Sequence, residues 1–268
     1  MKKRYFKKKK MSKLTNFSKY QKEEKKISLE LREEYKIHKK NEPEIIEPIN
    51  YKISLSQFRP QIINWIIFLC ENLNFSIETL FRTIIIFDQY IGKVKNENFN
   101  QNNFQLITIA SLSLATKIEE INCNYIKFFT DNVLNSPNNK NYTYKDLTKM
   151  EFEILTTLKF KILYSTPINF GKIYFELLKK KFQKNNFFLF NFWKDFEINL
   201  KSISFYDMYI TMSQSDIAYY SLIQTCNQYR INDNVFKKIY NIINYGENEE
   251  EKIYIGNNKY NRFSIRSL

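Results

Sequence analysis

Sixteen residues near the middle of the chain limit what it can become. Residues 104–119 read Phe-Gln-Leu-Ile-Thr-Ile-Ala-Ser-Leu-Ser-Leu-Ala-Thr-Lys-Ile-Glu. Wound as an α-helix, Leu106, Ile107, Ile109, Ala110, Leu112, Leu114 and Ala115 fall all round the circumference, and such a helix is stable only when wrapped on every side. At 1.5 Å per residue it is roughly 24 Å long, enough to thread a small domain. Ala110, Ser111, Ser113 and Ala115 are small and let neighbouring helices approach closely. The segment therefore calls for a bundle, and the rest of the chain supplies it.

Before the central segment, Ser56 precedes Phe58, Ile62, Trp65, Ile66 and Leu69 at helical spacing, with Pro60 early enough to be tolerated. Ser76 then leads Leu80, Ile84, Phe87 and Ile91 into Gly92, which reads as a helix stop. After it, a helix is expected around 125–134. A capping box of Thr143 with Asp146 opens a further helix striped by Leu147, Met150, Ile154, Leu155 and Leu158. Pro167 closes an extended link, and helices are expected near 168–182, 187–202, 213–228 and 232–244. An N-terminal helix, 27–40, carries Ile27, Leu31, Tyr35 and His38 before a connector marked by Pro43 and Pro48. No sustained β-alternation occurs, and four Gly and five Pro in 268 residues disfavour turn-rich β architectures. The fold class read from these patterns is all-α: two consecutive helical bundles jointed near Ser165–Pro167, preceded by a helix. The expected divisions are a basic tail at 1–26, helix and connector at 27–54, a first bundle at 55–165, a second at 166–247 and a polar tail at 248–268.

The formal charge of +14 raises the question of nucleic acid. Residues 1–40 carry 16 Lys or Arg against 5 Asp or Glu, which leaves only +3 for the body. The folded body is thus not expected to bind nucleic acid; the tail is either solvated or a targeting segment. His38 is the sole histidine, so zinc sites and His-based triads find no support. Cys70, Cys123 and Cys226 show no paired spacing and suit reduced thiols. No apolar run reaches the ~18 residues of a membrane span. The basic start lacks the apolar stretch of a secretory signal. Neither enzymatic activity nor a metal or other cofactor is expected.

Two charges stand on apolar faces. Glu151 shares one side of its helix with residues 147, 154 and 158. Lys117 follows Ala110 and Leu114 on the central helix, in a last turn where a cation suits the macrodipole. An ionised group so placed needs a partner. Pattern alone allows two readings: a salt bridge that only fixes helix packing, or an open groove that grips another protein's backbone.

The same residues resemble the cyclin box. Phe58-Arg59-Pro60-Gln61-Ile62-Ile63-Asn64-Trp65 is similar to its opening helix, and Glu78-Thr79-Leu80 with Asp88-Gln89-Tyr90 to the second. Leu106 followed by Leu114-Ala115-Thr116-Lys117-Ile118-Glu119-Glu120 resembles the central helix. Met150-Glu151-x-x-Ile154-Leu155-x-x-Leu158-x-Phe160 resembles the fifth, and Thr166-Pro167-x-x-Phe170 the entry to a second cyclin fold. The box's five characteristic residues have counterparts in Arg59, Asp88, Leu106, Lys117 and Glu151. The likeness covers about residues 55–170 and is weaker beyond, best at Ser215-Asp216-Ile217-Ala218. The N-terminal helix makes the chain look closest to mitotic A/B-type cyclins.

The resemblance implies two cyclin folds of about five helices each and a non-catalytic partner of a cyclin-dependent protein kinase. It assigns Lys117 and Glu151 to the kinase backbone, with apolar contact from Ile118, Leu155, Phe160 and Ile162. Arg59 and Asp88 become an internal structural pair. Phe58, Ile62, Trp65 and Gln105 would dock Arg-x-Leu motifs of substrates or inhibitors, or else simply pack the core. Gln61 and Phe68 depart from the family pattern at that patch. Lys2–Lys10 would direct the protein to the nucleus as well as the cytoplasm, or form a solvated tail. No Arg-x-x-Leu destruction box and no Lys-Glu-Asn triplet occurs. A cyclin-box protein of transcription, or a scaffold without a kinase, is the alternative.

Overall fold

The computed structural model describes residues 29–46, 58–94, 103–121, 128–134, 142–182 and 186–231. Among them every regular element is a helix, as the patterns require. Residues 33–233 cluster as one compact unit; residues 1–32 with 234–268 form the other, of which only 29–32 are described. The expected cap at Ser56, the helix at 232–244 and both charged tails lie outside the described residues.

Helix α1 spans 29–40, α2 Arg59–Asn72, α3 Ile77–Lys93 and α4 Phe104–Glu119. A π-helical turn, Phe129–Leu134, follows, and then α5, Tyr144–Thr157. The remaining helices are α6 Pro167–Phe182, α7 Asn186–Ser204 and α8 Gln214–Gln228, with a 3₁₀ turn at Asp207–Tyr209 before the last. The central helix is enclosed as its composition demands: Leu106 to Thr116 are all buried. It packs on α3 on one side and α5 on the other. Its hydroxyls turn inward on their own backbone, Thr108 donating to the Phe104 carbonyl and Ser111 to that of Ile107. Helix α3 is buried from Thr79 to Ile91. In the later half, α8 packs against both α6 and α7.

Helix ends follow the chemistry of their sequences. Ser76 caps α3 by accepting from the Thr79 amide. The Thr143–Asp146 capping box on α5 forms in full, the Thr143 amide lying 2.7 Å from Asp146 Oδ2. Two expectations need correction. Gly92 does not stop α3, which continues to Lys93. A Cβ there would meet the Ile46 side chain at 2.9 Å, so this glycine admits the connector rather than ending the helix. The segment before residue 134 winds as a π-turn instead of an α-helix. Gly171 plays the same spacing role between α6 and α7, where a Cβ would lie 2.5 Å from the Phe196 ring.

Helix α1 is no solvated appendage. Tyr35 is buried edge-on to Phe170, with ring centroids 5.3 Å apart. His38 Nδ1 lies 3.0 Å from Ser165 Oγ. The Ser165 amide donates to the Asn41 carbonyl at 2.8 Å. Lys39 reaches Ser215 Oγ at 2.7 Å, while Glu42 accepts from the Ser215 amide at 2.7 Å in the first turn of α8. An acid there complements the helix N-terminus.

Candidate functional site

Lys117 lies in the last turn of α4, and Glu151 lies at the middle of α5. The α4–α5 contact brings them together. Lys117 Nζ donates to both Glu151 oxygens, at 2.6 and 2.7 Å. The acid's side chain is only 7% exposed, whereas the lysine's is 34% exposed. The internal salt bridge therefore exists, and its cationic end faces outward. An ammonium has three N–H groups, so two on the carboxylate leave one for an incoming carbonyl oxygen.

Around this pair Ile118, Leu155 and Ile162 are half-buried and Phe160 is 63% exposed. Two further apolar side chains stand nearby in the chain and were not singled out from sequence. Phe152 is 62% exposed and Leu163 is 71% exposed. Phe152 had a readable signal, since it falls off the stripe of residues 147, 151, 154 and 158. Leu163 lies in the extended link after α5, where no periodicity exists to flag it. Large exposed apolar side chains flanking a charge are a common mark of an interaction surface.

The turn that carries Phe160 is unusual. Lys159 and Phe160 both have positive φ, 53° and 58°. Left-handed backbone costs a non-glycine residue roughly 1–2 kcal/mol, so two in succession require outside support. The Lys159, Phe160 and Lys161 amides donate to the carbonyls of Thr156, Leu155 and Leu158 at 3.1, 2.7 and 3.0 Å. Beyond the turn Arg82, a buried residue of α3, donates to the Ile162 and Tyr164 carbonyls at 3.2 and 2.8 Å. Its Nε also bonds Glu119 at the end of α4. Arg82 was missed in the sequence although its signal matched that of Lys117: a charge set among Leu80, Phe81, Ile84 and Ile85.

The Arg59–Asp88 pair is present and sealed. Arg59 Nε and Nη2 bond the two Asp88 oxygens at 3.0 and 2.8 Å. The guanidinium also donates to the Ser204 carbonyl at 2.6 Å, and the Tyr209 ring lies 5.4 Å from it. The pair thus joins α2 and α3, and additionally the end of α7. Of the other sequence-derived patch, Ile62 is buried in the core, Trp65 and Gln105 are half-buried and Phe58 is exposed. The Phe58 and Phe104 rings are 6.3 Å apart. Any peptide at this patch would meet Phe58 and Trp65 rather than Ile62.

Burial, together with Glu120 nearby, pushes the Cys70 thiol up to about 12, so it stays protonated and poorly nucleophilic. Burial also raises Glu120, but hydrogen bonds from Thr79 and Ser76 outweigh it and hold the carboxyl below its usual range. Glu120 accepts from Thr79 Oγ1 at 2.5 Å and the Ser76 amide at 2.8 Å, tying α4's exit to α3's start. Among the described residues no group of three or more His, Cys, Asp and Glu is placed to hold a metal. No described helix is long and apolar enough to cross a membrane.

Comparison with known proteins bears on the family and the fold. The family model "Cyclin, N-terminal domain" matches residues 5–163. The chain is 40% identical over 113 residues to G2/mitotic-specific cyclin-3 of Saccharomyces cerevisiae, covering 42% of this chain and 25% of that protein. It is 33% identical over 129 residues to Cyclin-B2-1 of Arabidopsis thaliana, covering 47% of this chain and 28% of the other. The aligned part thus spans about a quarter of the length of these curated relatives. The structure of a viral cyclin from herpesvirus saimiri superposes with a TM-score of 0.57 at 15% identity, over 71% of this chain and 80% of that one. That likeness concerns the fold, and it fits the all-helical architecture found. With the family model matching more than half its length, the chain belongs to the cyclin family.

Proposed function

We propose that the protein is the regulatory subunit of a cyclin-dependent protein kinase, which it binds and activates in cell-cycle control without catalysing a reaction itself. The observation that carries this is the Lys117–Glu151 pair: a nearly buried acid neutralised by a lysine whose side chain is about a third exposed, 34%. Phe160, Phe152 and Leu163 provide exposed apolar surface on the same stretch of chain. A kinase segment docked here would give a main-chain carbonyl to Lys117 and bury the phenyl rings. Ile118, Leu155 and Ile162 would complete the apolar contact.

Activation follows if the protein binds the active form of the kinase better than the inactive form. Only that difference in affinity shifts the population. In protein kinases the active form requires the Lys–Glu ion pair to the regulatory helix. Phe58, Trp65 and Gln105 form the candidate surface for Arg-x-Leu-type substrates or inhibitors. The cluster Lys2–Lys10 is proposed as the nuclear address.

Lys117→Ala tests the reading. It should cut activation of a cyclin-dependent kinase at least tenfold, which is ~1.4 kcal/mol of binding, while helical circular dichroism is kept. A variant that still activates the kinase fully would refute the assignment. A wild-type protein that binds no such kinase would favour a cyclin-fold scaffold.

A further inference from the structure

We propose that Arg82 is a positioning residue for the partner-docking face, holding both of its edges from inside the fold. The inference rests on the kinase-docking reading above. The docking face is made of two separate pieces of chain. One is the end of α4, with Lys117 and Ile118; the other is the exit of α5, from Phe160 to Leu163. Nothing in the local sequence of either piece fixes its distance from the other.

Arg82 supplies that link. Its Nε bonds Glu119, the residue after Ile118. Its Nη1 bonds the carbonyls of Ile162 and Tyr164, which flank exposed Leu163. One planar guanidinium therefore spans both edges, and its fork geometry sets their separation in a way a flexible ammonium cannot. The side chain is 10% exposed, so it is placed to act through the surface and not to meet a partner. The turn that leads into this segment is closed by its own amide bonds to the end of α5, and Arg82 holds the chain that leaves it. Lys159 and Phe160 are both left-handed without being glycine. Strained backbone of this kind persists only where its surroundings over-determine it.

Replacing both members of a buried ion pair by apolar residues of similar size often costs little stability, whereas removing one strands the other. Arg82→Met combined with Glu119→Leu is accordingly the informative variant, because it separates shape from stability. Three measurements decide the matter. The melting temperature should stay within a few degrees of wild type. Hydrogen exchange at the bonded amides of Lys159, Phe160 and Lys161 should accelerate about tenfold or more, as in a locally opened segment. Affinity for the mitotic cyclin-dependent kinase subunit of Saccharomyces cerevisiae, used as the probe, should fall at least tenfold. Arg82→Lys should recover only part of both effects. If the double variant fails to fold, Glu119→Gln alone weakens the same link from the other edge and should give the same exchange signature.

Unchanged exchange at residues 159–161 would overturn the proposal, as would an affinity loss fully explained by a lower melting temperature. Phe160→Ala keeps this outcome apart from failure of the docking reading. If Phe160→Ala and Lys117→Ala both bind the kinase probe as wild type does, the docking reading falls. If they lose binding while the Arg82→Met, Glu119→Leu variant retains it, only the role of Arg82 falls.

Discussion

Three ion pairs, Arg59–Asp88, Arg82–Glu119 and Lys117–Glu151, tie the helices of the described residues together. Arg59 with Asp88 is the most enclosed. Removing one partner leaves the other charge uncompensated in the interior, which costs on the order of 3–5 kcal/mol. Asp88→Ala should therefore lower the urea midpoint sharply, whereas Arg59→Met with Asp88→Leu together should restore much of the loss. Lys117 and Glu151 were legible for a physical reason: charges on apolar stripes stand out against helical periodicity. Arg82 stood out equally but lay outside the motif that drew attention, and its partners at 119, 162 and 164 are remote in sequence. Side-chain bonds to distant carbonyls leave no local pattern. How far a salt bridge is exposed is likewise set by the third dimension, so pattern alone left both readings of Lys117 and Glu151 standing.

At the scale of elements, most helices were readable because apolar spacing and capping residues agree. Helix α5 is the clearest case, with its Thr143–Asp146 box and its stripe both intact. Gly92 was misread because a glycine's sequence position does not tell whether it frees the backbone or clears space. Gly171 is the sharper example, set beneath the Phe196 ring. Gly171→Ala should destabilise the protein by about 1–3 kcal/mol through overpacking, despite alanine's better helix propensity. Thermal melts of the two proteins would show it as a lowered midpoint. The π-turn at Phe129–Leu134 had no signal, since apolar spacing does not distinguish a widened turn from an ordinary one.

Across the whole molecule, α1 emerges as part of the core unit from residue 33 onward. Tyr35→Ala should cost ~3–5 kcal/mol, the usual range for losing a large buried ring, and should make residues 33–46 the first site of limited proteolysis. Its neighbour His38 gives the same seam a pH dependence. Burial lowers the ring below the usual imidazole range, partly offset by Glu34, and Lys172 adds to the depression. The folded state thus takes up its proton at lower pH than the unfolded chain, which does so near ~6.5. Stability is complete above that value and declines as pH falls from it toward the folded value. His38→Gln should flatten the fall of the denaturation midpoint with pH below about 6.5.

The joint at Arg59 has a further consequence for how such a chain can diverge. Its grip on the later half is on the main-chain oxygens of Ser204 and Tyr206, not on their side chains. Every amino acid offers that oxygen, so exposed Tyr206 can change its lettering without losing Arg59, whereas fully buried Ser204 is confined to a small side chain by its surroundings.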